Sequence, residues 1–261
     1  MTNRLHLHRL NWKPDLPDWR DWKQAVTATT PVLPRQIDLR PKCPPVIDQE
    51  QIGSCTANAL AGALGFLELA ELQDGFQSEP QEFEARFIAF SRLFIYYNER
   101  DYEGDVNQDS GAFLRDGIKT LARYGVCSEE MWPYHPEKMY KCPPARAYTQ
   151  ALSHKISQYV RLQNLDQIQT VLAAGQPVSF GFTCYESFEG SEVAETGILA
   201  MPNAREKTIG GHAVLAVGYD DDTQRFLVRN SWGKDWGLGG YFWMPYEYMH
   251  DLATDFWRIQ R

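Results

Sequence analysis

The chain has no run of 18 apolar residues, so no segment reads as a membrane span. It has no basic excess: 26 Lys and Arg stand against 34 Asp and Glu, a formal charge of −8. With no basic stripe either, nucleic acid is not an expected partner. The stretch from Met1 to Trp12 lacks an apolar core flanked by a cleavage site, so no secretory leader is expected and the cytoplasm is the expected compartment. Cysteine is scarce: five, an odd count, leave at least one thiol unpaired within the chain. No Cys-x-x-Cys or His-Glu-x-x-His spacing occurs, so neither a metal nor a cofactor is expected. Low-complexity tracts and internal repeats are absent too. What remains is an ordinary globular composition, 261 residues with 43% hydrophobic and 13% aromatic side chains. That is long enough for a substantial core in one large or two small domains.

One stretch organises the rest, Asp48-Gln49-Glu50-Gln51-Ile52-Gly53-Ser54-Cys55-Thr56. Apolar residues at Ala59, Leu60, Ala63, Leu64 and Leu67 predict a helix from Cys55 to about Glu71, with Gly53-Ser54 as the turn before it and Gly75 as a stop. A thiol in the first turn sits at the positive end of the helix macrodipole, which favours thiolate and lowers its pKa. Taken alone, the stretch leaves open a buried structural cysteine. Helices are also expected over 91–97, 113–124 and 165–174, the last capped by Asn164 and stopped by Gly175. Strands are expected over 177–183, 212–219, 226–230 and 241–245, with a turn at 220–224. Residues 101–110 and 186–207 read as loops, and residues 34–47 as an irregular wrap. Helices first and strands second predict an α+β chain of two lobes with a cleft between them.

Four blocks carry a resemblance. Gln49 precedes Cys55 by six residues; Gly210-Gly211-His212-Ala213-Val214 follows Cys55 at long range; Asn230 lies 18 residues past His212; and Asn230-Ser231-Trp232-Gly233 continues through Trp236-Gly237 to Gly240-Tyr241. In this order the blocks resemble the papain-like cysteine peptidases, and the N-terminal arm with the 91–100 stretch is most similar to bacterial xylellain-like members. The resemblance spans most of residues 34–250. It implies a papain-like two-lobe fold, with a helical left lobe at roughly 44–142, a β-barrel-like right lobe at roughly 143–261, and the active-site cleft between them. It also implies a cysteine endopeptidase acting on peptide or protein substrates without cofactor. Cys55 would be the nucleophile, His212 its acid–base partner, Asn230 the residue orienting His212, and Gln49 a donor to the oxyanion. Trp232 would cover the His212–Asn230 bond. Counting along the family pattern, Gly111 and Ala112 fall on the strand that pairs with substrate backbone, and Gly181, Gly210 and Gly211 on walls of the pocket for the second residue before the cleaved bond (P2). Three glycines leave that pocket roomy, so bulky apolar or aromatic side chains are expected there.

The chain departs from the family in several places. His212 lies 157 residues past Cys55, beyond the family's span of about 130–150, which implies an insertion. Ile52 stands where the family has a disulfide cysteine, Ala112 replaces a glycine, and the long helical propeptide of many relatives is missing. In its place, residues 1–33 form an arm with Trp12, Trp19 and Trp22 among prolines. Its tryptophans are expected to pack on the body of the protein, each ring burying about 150–250 Å². The arm would act as a short built-in inhibitor, making the protein a zymogen, or else would seal an apolar flank. Two other functions share the same residues: a transpeptidase or acyl transferase, and a silent papain-fold binding module.

Overall fold

The computed structural model describes residues 8–25, 32–75 and 87–261. The arm's outer parts, 1–7 and 26–31, lie outside the described residues. Strand β1 (Gln36–Asp38) leads into helix α1 (Cys55–Gly75), α2 (Arg92–Glu103), α3 (Leu114–Tyr124) and α4 (Ala145–Ala151). Then come β2 (Gln158–Leu162), α5 (Leu165–Ala173), β3 (Val178–Tyr185), α6 (Ser191–Thr196), β4 (Thr208–Asp220), β5 (Arg225–Arg229), β6 (Tyr241–Pro245), α7 (Tyr246–Leu252) and β7 (Ala253–Gln260).

Helix α1 begins at Cys55 as expected, and its first three turns are buried on every side, with Leu60 and Leu64 fully enclosed. A helix apolar all round is one packed on all faces. It lies between the sheet, through β4 and β3, and the helices α2 and α3. Gly62 allows the close approach: a Cβ there would sit 3.4 Å from Nε of Arg229 on β5. Helix α2 is capped by Ser91, whose hydroxyl accepts from the N–H of Phe94 at 3.1 Å. It runs into the stretch expected to be a loop and ends at Gly104, whose φ of 77° no β-branched residue would adopt cheaply.

The sheet is antiparallel, in the order β2-β7-β3-β4-β5-β6, with β1 added beside β4. This path is open: β2 and β6 end it, so the β-barrel-like lobe that the resemblance implied is an open sheet. Register sets what faces the cleft. Gly181 pairs with Ala213 and Phe182 with His212, while Leu215 pairs with Arg229, next to Asn230. Strands β1, β2 and β7 were not apparent from the sequence, and neither were the short helices α4, α6 and α7. Each of these is short or terminal and is held by neighbours rather than by its own periodicity.

The arm's second half covers the free edge of β2. Arg161 N–H donates to the Trp22 carbonyl at 2.7 Å, and Gln24 N–H donates to the Arg161 carbonyl at 3.0 Å. Charge fixes it further. Asp21 receives both ends of the Arg115 guanidinium at 2.8 and 2.6 Å and Nη1 of Arg161 at 3.0 Å. Asp15 accepts from Arg115 N–H and from Nε1 of the buried Trp257. The expectation that all three arm tryptophans pack on the body is corrected: Trp12 is buried, but Trp19 and Trp22 are exposed. Trp22 is held by its backbone carbonyl, and that leaves its ring outside.

Candidate active site

Cys55 opens α1 and has no exposed surface; the loop before it carries Gln49, also fully buried. His212 stands on β4 where that strand passes the start of α1, and Asn230 follows the end of β5. Two strands of one sheet thus hold the histidine and the asparagine side by side. Nε2 of His212 and Oδ1 of Asn230 are 2.8 Å apart, and the other ring nitrogen, Nδ1, is buried without a hydrogen-bond partner. The Trp232 ring lies over the pair, its centroid 5.1 Å from that of His212.

Gln49 is oriented by residues the sequence reading did not single out. Its Oε1 accepts from the Ser231 hydroxyl at 2.6 Å, its carbonyl accepts from Tyr134, and its Nε2 donates to the Ile52 carbonyl at 3.0 Å. With Oε1 occupied, the amide NH2 is left to donate to the Ile52 carbonyl and, at 3.5 Å, to the Arg9 carbonyl of the arm. Arg92 ties the loop to α2 by donating to the Asp48 carbonyl at 2.8 Å, stacked over the Tyr134 ring. A further buried group is Glu99 on α2, which accepts from the Thr56 hydroxyl at 2.8 Å, one residue past Cys55. Burial pushes its carboxyl up to about 8.

Residues 8–13 of the arm run through this cleft. The Trp12 N–H donates to the Gly211 carbonyl at 2.9 Å, the Gly211 N–H to the Leu10 carbonyl at 3.2 Å, and the Lys13 N–H to the Ala112 carbonyl at 3.1 Å. Arm backbone therefore uses Ala112 and Gly211, two of the positions expected to bind substrate. The Trp12 ring fills the glycine-walled pocket. A Cβ at Gly181 would lie 1.9 Å from that ring and one at Gly211 2.6 Å from it, while one at Gly210 would lie 2.6 Å from the Leu10 carbonyl oxygen. Gly111, at φ 70°, brings its backbone so near that a Cβ would stand 1.7 Å from the Asn11 carbonyl oxygen. Phe180 and Phe182, which could have closed the pocket, are instead buried in the core. At the other end His8 stacks on Trp232, ring centroids 4.6 Å apart and 11° from coplanar.

The arm dries the site, and this reverses the expected ionisation of the thiol. Burial pushes Cys55 up to about 12, although backbone N–H groups of Ala213, Thr56 and Asn11 favour the thiolate. Burial likewise carries His212 down to about 4 against its bond to Asn230. Desolvation outweighs a helix terminus when both partners lose water. The covered site therefore holds a neutral thiol and a neutral imidazole. All five cysteines are free thiols, and among the described residues no cluster of His, Cys, Asp or Glu could hold a metal ion.

Residues 102–254 match the model of the papain family cysteine proteases. That segment holds His212 and Asn230; Gln49 and Cys55 lie ahead of it. An uncharacterized peptidase C1-like protein of Acanthamoeba polyphaga mimivirus is 45% identical over 237 residues, 87% of this chain and 73% of the relative. The cathepsin B-like CP3 of Giardia intestinalis is 31% identical, over 84% of this chain and 70% of the relative. Among solved structures, xylellain, a cysteine protease from Xylella fastidiosa, superposes with a TM-score of 0.85 at 42% identity, covering 96% of this chain and 95% of the other. By its sequence, its fold and the similarity of its relatives, this chain belongs to the papain family of cysteine proteases and is a hydrolase of peptides.

Proposed function

We propose that Cys55, His212, Asn230 and Gln49 perform thiol-dependent peptide hydrolysis, and that residues 8–13 hold the enzyme closed until the arm leaves. The His212–Asn230 bond beside the helix-start thiol carries the first part. In the open site, water returns, the helix terminus and the Ala213 and Thr56 N–H groups stabilise the thiolate, and Nδ1 of His212 takes the proton. The thiolate attacks the carbonyl carbon, the Gln49 amide and the N–H at the start of α1 hold the oxyanion, and His212 protonates the leaving amine. Asn230 keeps Nε2 engaged and so leaves Nδ1 for the thiol. Water then releases the acyl group.

The closed state rests on what the arm presents to the sulfur. A productive chain must bring a carbonyl carbon to the sulfur. Here the Asn11 N–H faces the sulfur, and the arm carbonyl that accepts from the Gln49 amide is that of Arg9, at 3.5 Å. The arm thus fills the cleft while presenting a backbone N–H to the Cys55 sulfur. The Gly181–Gly211 pocket, filled by Trp12, is the seat for a bulky apolar or aromatic P2 side chain.

Labelling Cys55 with an epoxysuccinyl reagent should abolish turnover of a fluorogenic peptide, and Cys55→Ala should be inactive with its fold intact. Gln49→Ala should lose about 10²–10³ in kcat, as for one oxyanion donor. Peptidase activity surviving in Cys55→Ala would refute the assignment.

A further inference from the structure

Two donors serve the oxyanion in the proposed reaction, the Gln49 side-chain amide and the N–H at the start of α1. They sit at opposite ends of the loop from Gln49 to Cys55. A loop has no periodic hydrogen bonds of its own to fix the distance between its ends. One phenol hydroxyl reaches both. Oη of Tyr134 lies 2.7 Å from the Gln49 carbonyl oxygen and 2.7 Å from the hydroxyl of Ser54, the residue before Cys55.

The direction of these bonds is fixed by the groups that end them. The Asn58 side-chain NH2 can only donate, and it donates to the Ser54 hydroxyl at 3.0 Å and to the Ser54 carbonyl at 2.9 Å. The Gln49 carbonyl can only accept. Tyr134 must therefore spend its one hydrogen on Gln49, and Ser54 must spend its own on Tyr134. The chain of donors runs Asn58, Ser54, Tyr134, Gln49, and each bond polarises the next. Burial pushes the Tyr134 phenol up to about 12, so its hydrogen stays in place at neutral pH. The phenol is held in turn. Its backbone N–H donates to Oε1 of Glu129 at 2.7 Å, and the Arg92 guanidinium lies 3.8 Å from its ring centroid. Arg92 also donates to Oδ1 of Asn58 at 3.4 Å and to the carbonyl of Asp48, just before Gln49, which closes the chain into a ring. In the middle of the loop, the Gly53 N–H donates to the Asp109 carboxylate at 3.0 Å. None of these groups belongs to the arm, so the arrangement stands in the open cleft as in the covered one.

We propose that Tyr134 is a positioning residue for the peptidase reaction, its hydroxyl setting the spacing between the two oxyanion donors through Gln49 and Ser54 without touching substrate. This rests on the peptidase reading of the site. The chain of bonds serves the oxyanion and not the sulfur, so the thiolate forms with or without it.

The test uses the full chain with Trp12→Ala in every protein, to loosen the arm. Tyr134→Phe removes the hydroxyl and keeps the ring under Arg92. It should lower kcat on a fluorogenic peptide about tenfold, less than the roughly 10²–10³ for loss of a donor itself, with KM unchanged. Alkylation of Cys55 by iodoacetamide forms no oxyanion and should keep its rate. With Gln49→Ala already present, Tyr134→Phe should cost less than it does alone, because one of the two groups it positions is gone. Ser54→Ala cuts the chain between the two donors; it too should lower kcat and spare alkylation, and it decides the matter if Tyr134→Phe does not fold. An unchanged kcat, alkylation slowed as much as turnover, or full additivity with Gln49→Ala would overturn the proposal and leave the peptidase reading intact. A Trp12→Ala protein that is alkylated at Cys55 but hydrolyses no peptide would sink the peptidase reading, and the proposal with it.

Discussion

At the scale of single residues, Trp12 fills the glycine-walled pocket of the cleft. Its ring lies against Gly181 and Gly211, positions where any side chain would collide with it. Truncating a buried Trp costs about 3–5 kcal/mol. Trp12→Ala in the full chain should therefore raise the rate of Cys55 alkylation by at least tenfold, since about 1.4 kcal/mol is a factor of ten. Mass spectrometry of the labelled protein at fixed pH and reagent concentration checks this, and an unchanged rate would show that Trp12 does not hold the arm. Cys55, His212, Asn230 and Gln49 were picked out in the sequence because their types and order are tied to chemistry, and the fold brings His212 and Asn230 within 2.8 Å of each other. Ser231, Tyr134, Arg92 and Asp109 were not. They act by hydrogen bonds to Gln49, to its loop and to Gly53, partners distant in sequence.

At the scale of the element, the arm is two devices in series, a plug at 8–13 and a latch at 15–24. The latch brings Asp15, Asp21 and Asp255 against Arg115 and Arg161, three carboxylates facing two guanidiniums. Burial, with Asp255 nearby, raises Asp15 from an ordinary carboxyl to about 6. The docked arm thus binds a proton more tightly than the free arm does. Asp15's contribution to docking is fully present below about pH 4, the free value of an Asp, and is lost as pH rises through about 6. Amide-exchange protection at Trp12, Lys13 and Gln24, corrected for intrinsic rates, should fall between about pH 4 and 7, from the free value of an Asp to one unit past the raised pKa. Asp15→Asn should flatten the change. Protection rising with pH would reverse the sign and refute the account. Helices α1, α2, α3 and α5 were readable because stop or cap residues bracket an apolar pattern, with Gly104, Gly125 and Gly175 all at positive φ. Strand β7 was not, because its pattern has meaning only between β2 and β3.

At the scale of the whole molecule, the plug and the latch do different work, so two truncations should separate. Removing residues 1–13 should raise kcat/KM and lower Tm by what the buried Trp12 ring contributes. Removing residues 1–25 should raise activity and lower Tm further. It uncovers the ring of Trp257, strips Arg115 and Arg161 of Asp21, and bares the free edge of β2, an invitation to aggregation. Melting curves and peptide turnover on both proteins decide it; equal Tm for the two would show that the latch carries no stability. The sequence by itself determined the family, the helices α1, α2, α3 and α5, the strands β3 to β6, and the placing of a thiol at a helix start and of a histidine on a strand, because those depend on residue type and local period. The tertiary structure alone decided that the sheet stays open, that one arm tryptophan of three is buried, and that the thiol under the arm is neutral rather than activated. Those outcomes depend on which surfaces meet and where water is excluded, and contacts between residues some 200 positions apart leave no local pattern in the chain.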